Sequence, residues 1–343
     1  MKTFLSIQYL RGAAALAVVA FHALQWTGGG FEVGRAGVDV FFVISGFIMW
    51  TIADGRAVSA GGFLWRRLTR VAPAYWIATL GVAGVALAWP AFLPQLRLGW
   101  AHLGLSLAFI PHDDPAGLPF PLLPPGWTLT YEAVFYLIFA AALLAPARTR
   151  LALVAAGLAI VSFAGFWWRD AYPLGANPLM LEFAAGACLG RLARTGALPG
   201  RRAGWAMLAA GVAAFVAMEA AGWTSELWRP LVWGAPALLI VAGAVTIEAR
   251  GGIGDCEPAR GLGDASYSIY LWHLPAVALV AHTIGFGRPW LFVPLAMATS
   301  IAAGLAGRAL VEKPLMALLR RRSTGALAGS RNAPPTELFK DLA

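Results

Sequence analysis

The sequence predicts an all-α, polytopic helical membrane protein of about ten transmembrane helices with both termini in the cytoplasm. Three observations predict it. Of the 343 residues, 59% are hydrophobic and only 13% charged, about half the charged share of an ordinary soluble domain. Mean hydropathy is +0.68, and apolar runs close to the roughly 20 residues needed to cross a bilayer recur along the chain. The net charge of +9 sits on Arg and Lys placed between those runs, the pattern of positive-inside topology rather than of a nucleic-acid partner. A soluble globule is excluded, and no polar stretch is long enough for a large soluble domain.

Taken in order, the runs place spans near 7–26, 36–54, 71–90, 127–145, 151–168, 178–192, 203–221, 230–249, 266–284 and 290–311. With the N-terminus inside, 19 of the 26 basic residues fall in cytoplasmic segments and five in outer loops, while Arg11 and Arg308 lie within spans. That asymmetry sets the orientation. Residues 100–111 are apolar but too short to cross comfortably and precede a Pro-rich stretch, so this segment reads as re-entrant or interfacial. Crossing there would invert every later loop. The first span follows a single Lys, carries Arg11 and lacks a small-x-small cleavage site, so it is expected to stay in the mature protein. Residues 1–318 then form one membrane domain, and 319–343 a cytoplasmic tail expected to be disordered. Cys188 and Cys256, far apart and without nearby His at ligand spacing, support neither a disulfide framework nor a zinc site. No metal is expected.

The polar residues that a bilayer should exclude are the candidates for chemistry. Arg11 and His22 share one face of the first span, about 16 Å apart along the axis. On a bland reading they are a snorkelling Arg and a satisfied core His. Asp39 enters the second span at about the depth of His22 and is placed to orient its imidazole. Ser45 and Gly46, further along, read as helix-packing residues. Arg67 and Arg70, one turn apart before Pro73, suit forked hydrogen bonds to phosphate, although topogenic charge explains most such clusters. Glu132 is a carboxylate expected to be buried, hence protonated or partnered. Trp127 and Tyr131 are interfacial aromatics or a sugar-stacking rim, and Glu182 and His273 are two further ionisable groups within spans.

The Arg11-to-His22 spacing, the run 37–47, the Arg67/Arg70 pair, and the segments 127–136 and 267–273 together resemble the membrane acyltransferase 3 family over residues 1 to about 318. Residues 6–12 and 180–183 resemble its branch that O-acetylates secreted bacterial polysaccharides. The resemblance implies a multi-pass protein of the bacterial cytoplasmic (inner) membrane. Its implied activity moves an acyl group, commonly acetyl from cytoplasmic acetyl-CoA, to a hydroxyl of an extracytoplasmic polysaccharide or lipid-linked oligosaccharide. It also implies essential roles for Arg11 and His22 and a donor-side role for Arg67 and Arg70. No soluble hydrolase-like domain is expected after the last span. On this reading Arg67, Arg70 and Arg11 hold the donor, and His22 deprotonates the acceptor hydroxyl with Asp39 or Glu132 orienting it. Trp127, Tyr131, Glu182 and His273 face the acceptor. No Gly-x-Ser-x-Gly elbow is present, which favours direct attack over an acyl-enzyme. The expected partners are acetyl-CoA, the glycan, the bilayer and polysaccharide assembly machinery, with no nucleic acid. Two other classes stay open: a transporter of a polar or anionic solute, and a non-catalytic subunit of a polysaccharide export complex.

Overall fold

The computed structural model describes residues 4–53, 58–93, 96–167, 178–223 and 228–319. Its helices are α1 (Leu5–Trp26), α2 (Gly37–Ala53), α3 (Ala60–Ala88), α4 (Trp100–Leu107), α5 (Gly126–Leu143) and α6 (Ala147–Trp167), followed by α7 (Met180–Arg194), α8 (Arg201–Ala220), α9 (Ala235–Ala249), α10 (Glu257–Ile284) and α11 (Pro289–Gly307). A 3-10 turn, Glu32–Ala36, leads into α2, and π-helical turns at Pro230–Gly234 and Arg308–Glu312 precede α9 and extend α11. Eight helical segments among the described residues are long and apolar enough to cross a membrane. The chain is a multi-pass helical membrane protein. The two expected spans outside those eight are α7, with 15 residues, and α10, which carries Glu257, Arg260 and Asp264 near its start. The expected tail from residue 320 on, like Arg56 and Arg169 of the charge tally, lies outside the described residues.

Two helices begin well before the apolar run that announced them. Helix α3 starts at Ala60 rather than 71, capped by the Ser59 hydroxyl, which accepts from the Gly62 N–H at 3.2 Å. Helix α10 starts at Glu257 rather than 266. Charged residues ended the apolar pattern there, yet the backbone continues helical and carries Arg66, Arg67, Arg70 and Asp264 into the bundle.

Glycines set how the helices meet. A Cβ on Gly46 would lie 2.0 Å from the carbonyl oxygen of Phe183, and one on Gly186 would lie 2.0 Å from that of Val43, so α2 and α7 touch backbone to backbone. Gly263 of α10 sits equally close to the Gln8 carbonyl of α1. Both pairs run parallel: Val43 meets Gly186 and Phe47 meets Gly190, while Gln8 meets Gly263 and His22 meets His273. Helices α3 and α5 run antiparallel, with Tyr75 against Gly126 and Phe63 stacked on Phe139. A chain that reverses at each crossing satisfies both parallel pairs when α4 is not a crossing. Eight residues long, α4 is tied to α3 by the Trp76 indole, which donates to the Leu107 carbonyl at 2.8 Å, and by the Tyr75 hydroxyl, which donates to that of Ser106 at 3.3 Å. This agrees with the re-entrant or interfacial reading of the segment.

The α2–α7 contact leads to a stability prediction. Gly46→Leu is expected to cost about 1–3 kcal/mol or more, because the side chain meets backbone that cannot turn aside. Gly84→Leu, where a Cβ meets nothing within 4 Å, is expected to be neutral. Thermal unfolding of the detergent-solubilised variants checks the pair, and equal melting temperatures would contradict the packing argument.

Candidate active site

Between α1, α2, α3, α5 and α10 lies a cavity of about 240 Å³. Its polar lining is Gln8, Arg11, Ser45, Thr51, Arg67, Arg70, Thr128, Glu132, Tyr136, Ser266, Tyr267 and Tyr270, and Ile44, Phe41, Phe47 and Leu129 are among its apolar walls. Arg67 is buried, with Arg11 and Arg70 half-buried. The longer α3 carries Arg67 and Arg70, expected on one helical face just before the span, into the lining of the cavity. Arg11 donates to the Gln8 side chain at 3.2 Å and lies within electrostatic reach of Arg70, Glu312, Asp264 and Glu132. Both of those further carboxylates are engaged, Asp264 by Arg308 at 2.8 Å and Glu312 by the Ser268 hydroxyl at 2.7 Å. The Tyr267 hydroxyl ties α10 to α3 by donating to the Val71 carbonyl at 2.7 Å.

Glu132 accepts from the Ser45 hydroxyl at 3.0 Å and, in a short contact, from the Tyr136 hydroxyl one turn along α5. It faces the arginines rather than His22, so the expectation that it orients that imidazole is not met. Ser45, expected to serve packing, is one of its donors, whereas Gly46 beside it does pack.

Asp39 does not reach His22 either. Arg229 grips it through Nε at 3.1 Å and Nη2 at 2.9 Å, with both side chains buried. The second span brings Asp39 to the right end of the bundle, but a guanidinium 190 residues away in sequence is the stronger partner for a buried carboxylate. Glu182, expected to face the acceptor, is buried against Gly234 in the π-helical turn, near Asp39 and Arg229. Neither of its oxygens has a hydrogen-bond partner among the described residues.

Trp127 and Tyr131 do not form an open rim. Tyr131 is buried, and both pack on Phe42, which stacks on Phe183 at 4.5 Å in an aromatic core. His22 lies toward the C-terminal end of α1, half-buried, with its ring 5.1 Å from that of the fully buried His273. The two sequence-predicted histidines therefore meet, but His273 faces His22 rather than an open surface. A further pair in the 100–123 segment gave no sequence signal beyond composition: His102 Nδ1 and His112 Nε2 are 2.7 Å apart. Burial first, and His112 second, hold the His102 imidazole below the usual histidine range, against an opposing pull from Asp114. Tyr136 and Arg229 were also missed. A helical i, i+4 reading from Glu132 points to the first, while nothing local points to the second.

Three guanidiniums around a largely apolar cavity suit an anionic group with an apolar arm, and a histidine pair farther up the same α1–α10 seam suits proton transfer. A family model described as an acyltransferase domain matches residues 4–308. The chain belongs to the acyltransferase 3 family. It is 39% identical to the exopolysaccharide production protein ExoZ of Rhizobium meliloti over 318 residues, covering 90% of this chain and 98% of ExoZ. Identity to the acyltransferase MdmB of Streptomyces mycarofaciens is 30%, over 94% of each chain. The peptidoglycan O-acetyltransferase OatA of Listeria monocytogenes is 27% identical over 90% of this chain but 55% of its own length. No solved structure matches. Membership makes this membrane protein an acyltransferase, with the cavity and the histidine pair as its candidate chemistry.

Proposed function

We propose that this acyltransferase carries an acetyl group from cytoplasmic acetyl-CoA across a bacterial cytoplasmic membrane to a hydroxyl of a polysaccharide or lipid-linked oligosaccharide on the other side. The observation that carries the reading is the division of one helix seam. Arg11, with Arg67 and Arg70, lines the cavity at one end, and His22 meets His273 about 16 Å farther along α1. The names of ExoZ and OatA, an exopolysaccharide production protein and a peptidoglycan O-acetyltransferase, support a glycan acceptor, and the positive-inside bias supports ten crossings with the arginine end toward the cytoplasm.

In the reaction Arg67 and Arg70 hold the donor's phosphates, and Arg11 draws its arm inward. His22 takes the proton of the acceptor hydroxyl as that oxygen attacks the thioester carbonyl. The C–O bond forms, the C–S bond breaks, and His22 returns the proton to the departing thiolate. Asp39 takes no part, being held by Arg229. Deleting the gene is expected to remove O-acetyl groups from the envelope or secreted glycan while export continues. Unchanged acetylation would overturn the reading, and loss of export with normal acetylation would favour an assembly subunit.

Sidedness is checked by cysteine labelling in a Cys188→Ser, Cys256→Ser background, since both native thiols are free and exposed. An impermeant maleimide should label Ala116→Cys in intact cells with permeable outer layers, and Gly61→Cys only after the membrane is opened. The reverse result would invert the topology.

A further inference from the structure

His273 lies at the end of the α1–α10 seam, fully buried. Its Nδ1 is 2.6 Å from the Tyr270 carbonyl oxygen. A carbonyl can only accept, so Nδ1 carries the hydrogen and the lone pair of the neutral ring is on Nε2. That Nε2 is buried and has no hydrogen-bond partner among the described residues. Buried acceptors are nearly always satisfied, so one held bare and in a fixed tautomer calls for an intermittent donor.

The neighbouring ring is His22, 5.1 Å away between centroids and tilted by 35°. A histidine that acts as a base exchanges one N–H for two and becomes a cation, which must be received by acceptors around it. Among the described residues the charged or polar side chains that bear on His22 are Gln25, whose side chain receives one of the two N–H groups, Arg35 and His273. Arg35 is itself a cation and lies over the Phe21 ring at 5.9 Å, so it opposes the charge. Glu32 is paired with Arg35 at 3.4 Å, Asp39 is held by Arg229, and Glu132 is held by Ser45 and Tyr136. The carboxylates that might back a catalytic imidazole are thus committed elsewhere. The bare acceptor in ring contact with His22 is the Nε2 of His273.

We infer that His273 is a positioning residue for the acyl transfer: its Nε2 accepts an N–H of His22 when that ring has taken the acceptor hydroxyl's proton. The inference rests on His22 being the base, as proposed above. It replaces the carboxylate-backed imidazole with an imidazole-backed one, whose tautomer the Tyr270 carbonyl fixes. The proton balance is unaltered, because His273 receives a hydrogen bond and not the proton, and His22 still returns that proton to the thiolate.

The test compares His273→Gln, whose amide oxygen can accept, with His273→Met, which is of similar size and accepts poorly. Each is expressed as the full chain in a deletion strain, and the initial rate of O-acetyl incorporation into the cell's own glycan is read after induction. His273→Met is expected to lose about 10- to 150-fold, the worth of one hydrogen bond to a charged group, and His273→Gln to retain most of the rate. Combined with His22→Ala, the Met change should add nothing, since residues acting as a unit are non-additive. Purified protein should bind CoA alike in all variants by calorimetric titration, which also shows that the Met variant folds. Equal losses in the Gln and Met variants, or an additive double variant, would overturn the inference. If His22→Ala were itself fully active, the fault would lie with the base assignment beneath it.

Discussion

Replacing Arg67 and Arg70 together by Gln raises the apparent Michaelis constant for acetyl-CoA by about 10²- to 10⁴-fold and leaves that for the glycan nearly unchanged. The size follows from removing two charge-assisted contacts, each worth about 1.5–3 kcal/mol, from a site where Arg67 is only 6% exposed. Water cannot substitute for a guanidinium there. The selectivity follows from distance, since both arginines line the cavity with Arg11 and not the space around His22. A double Lys variant should recover part of the loss, because ammonium restores the charge that faces Glu132 but not the fork. It also controls for folding, as the Gln pair leaves that carboxylate with fewer cations. Direct titration with CoA is the measurement. Normal binding by the Gln pair would return these arginines to the role of topogenic charge. Two other arginines that could hold an anion are already engaged: Arg150 donates to the Ala145 carbonyl at 3.0 Å, and Arg260 is paired with Asp255.

His22→Ala is expected to lower the rate of transfer about 10²- to 10⁴-fold, the usual contribution of a positioned general base. Donor binding should persist, because His22 does not line the arginine cavity. Insertion should persist as well, since the half-buried ring makes edge and tilted contacts with Phe21 and His273 and a polar contact with Gln25, none of which anchors the helix. O-acetyl content of the glycan and CoA affinity of the purified variant together decide the matter. A variant that acetylates at the wild-type rate removes His22 from the chemistry, and one that fails to bind CoA shows a role in holding the donor.

Much of the architecture was legible because a bilayer demands long apolar runs, and α1, α2, α8 and α9 lie within a few residues of them. Helix α4 was legible for the opposite reason, being too short to cross. Charge misled the reading of α3 and α10, whose early turns carry Arg67, Arg70 and Asp264. A charged residue ends an apolar pattern without ending a helix when a cavity or an opposite charge inside the bundle receives it. The site was half legible. One helix holds Arg11 and His22, so their spacing could be computed, but that α10 sets His273 beside His22 was not foreseen. The partners of Asp39 and Glu132 were not legible. Arg229 comes from the far side of the sequence, and α5 is apolar on nearly every side, leaving open whether Trp127, Tyr131 or Glu132 faced the cavity. Depth along a span can be read from local sequence, but which neighbour a side chain meets depends on glycine contacts such as Gly46 with Phe183.

The parallel contact between α1 and α10 also bears on how the protein is made. Helix α1 leaves the ribosome with Arg11 and His22 already on it, while α10, which supplies Tyr267, Tyr270 and His273, begins about 230 residues after α1 ends. At synthesis rates of 5–20 residues per second that gap lasts roughly 10–50 s. For this interval the first span holds an arginine and a histidine in the membrane without the helix that later covers them, against a substantial cost for exposing such groups to lipid. The insertion machinery, or helices α2 and α9, which also pack on α1, must shelter that face until α10 arrives. Chains cut short before α10 consequently lack the complete site, so α10 has to be made before any copy becomes an enzyme.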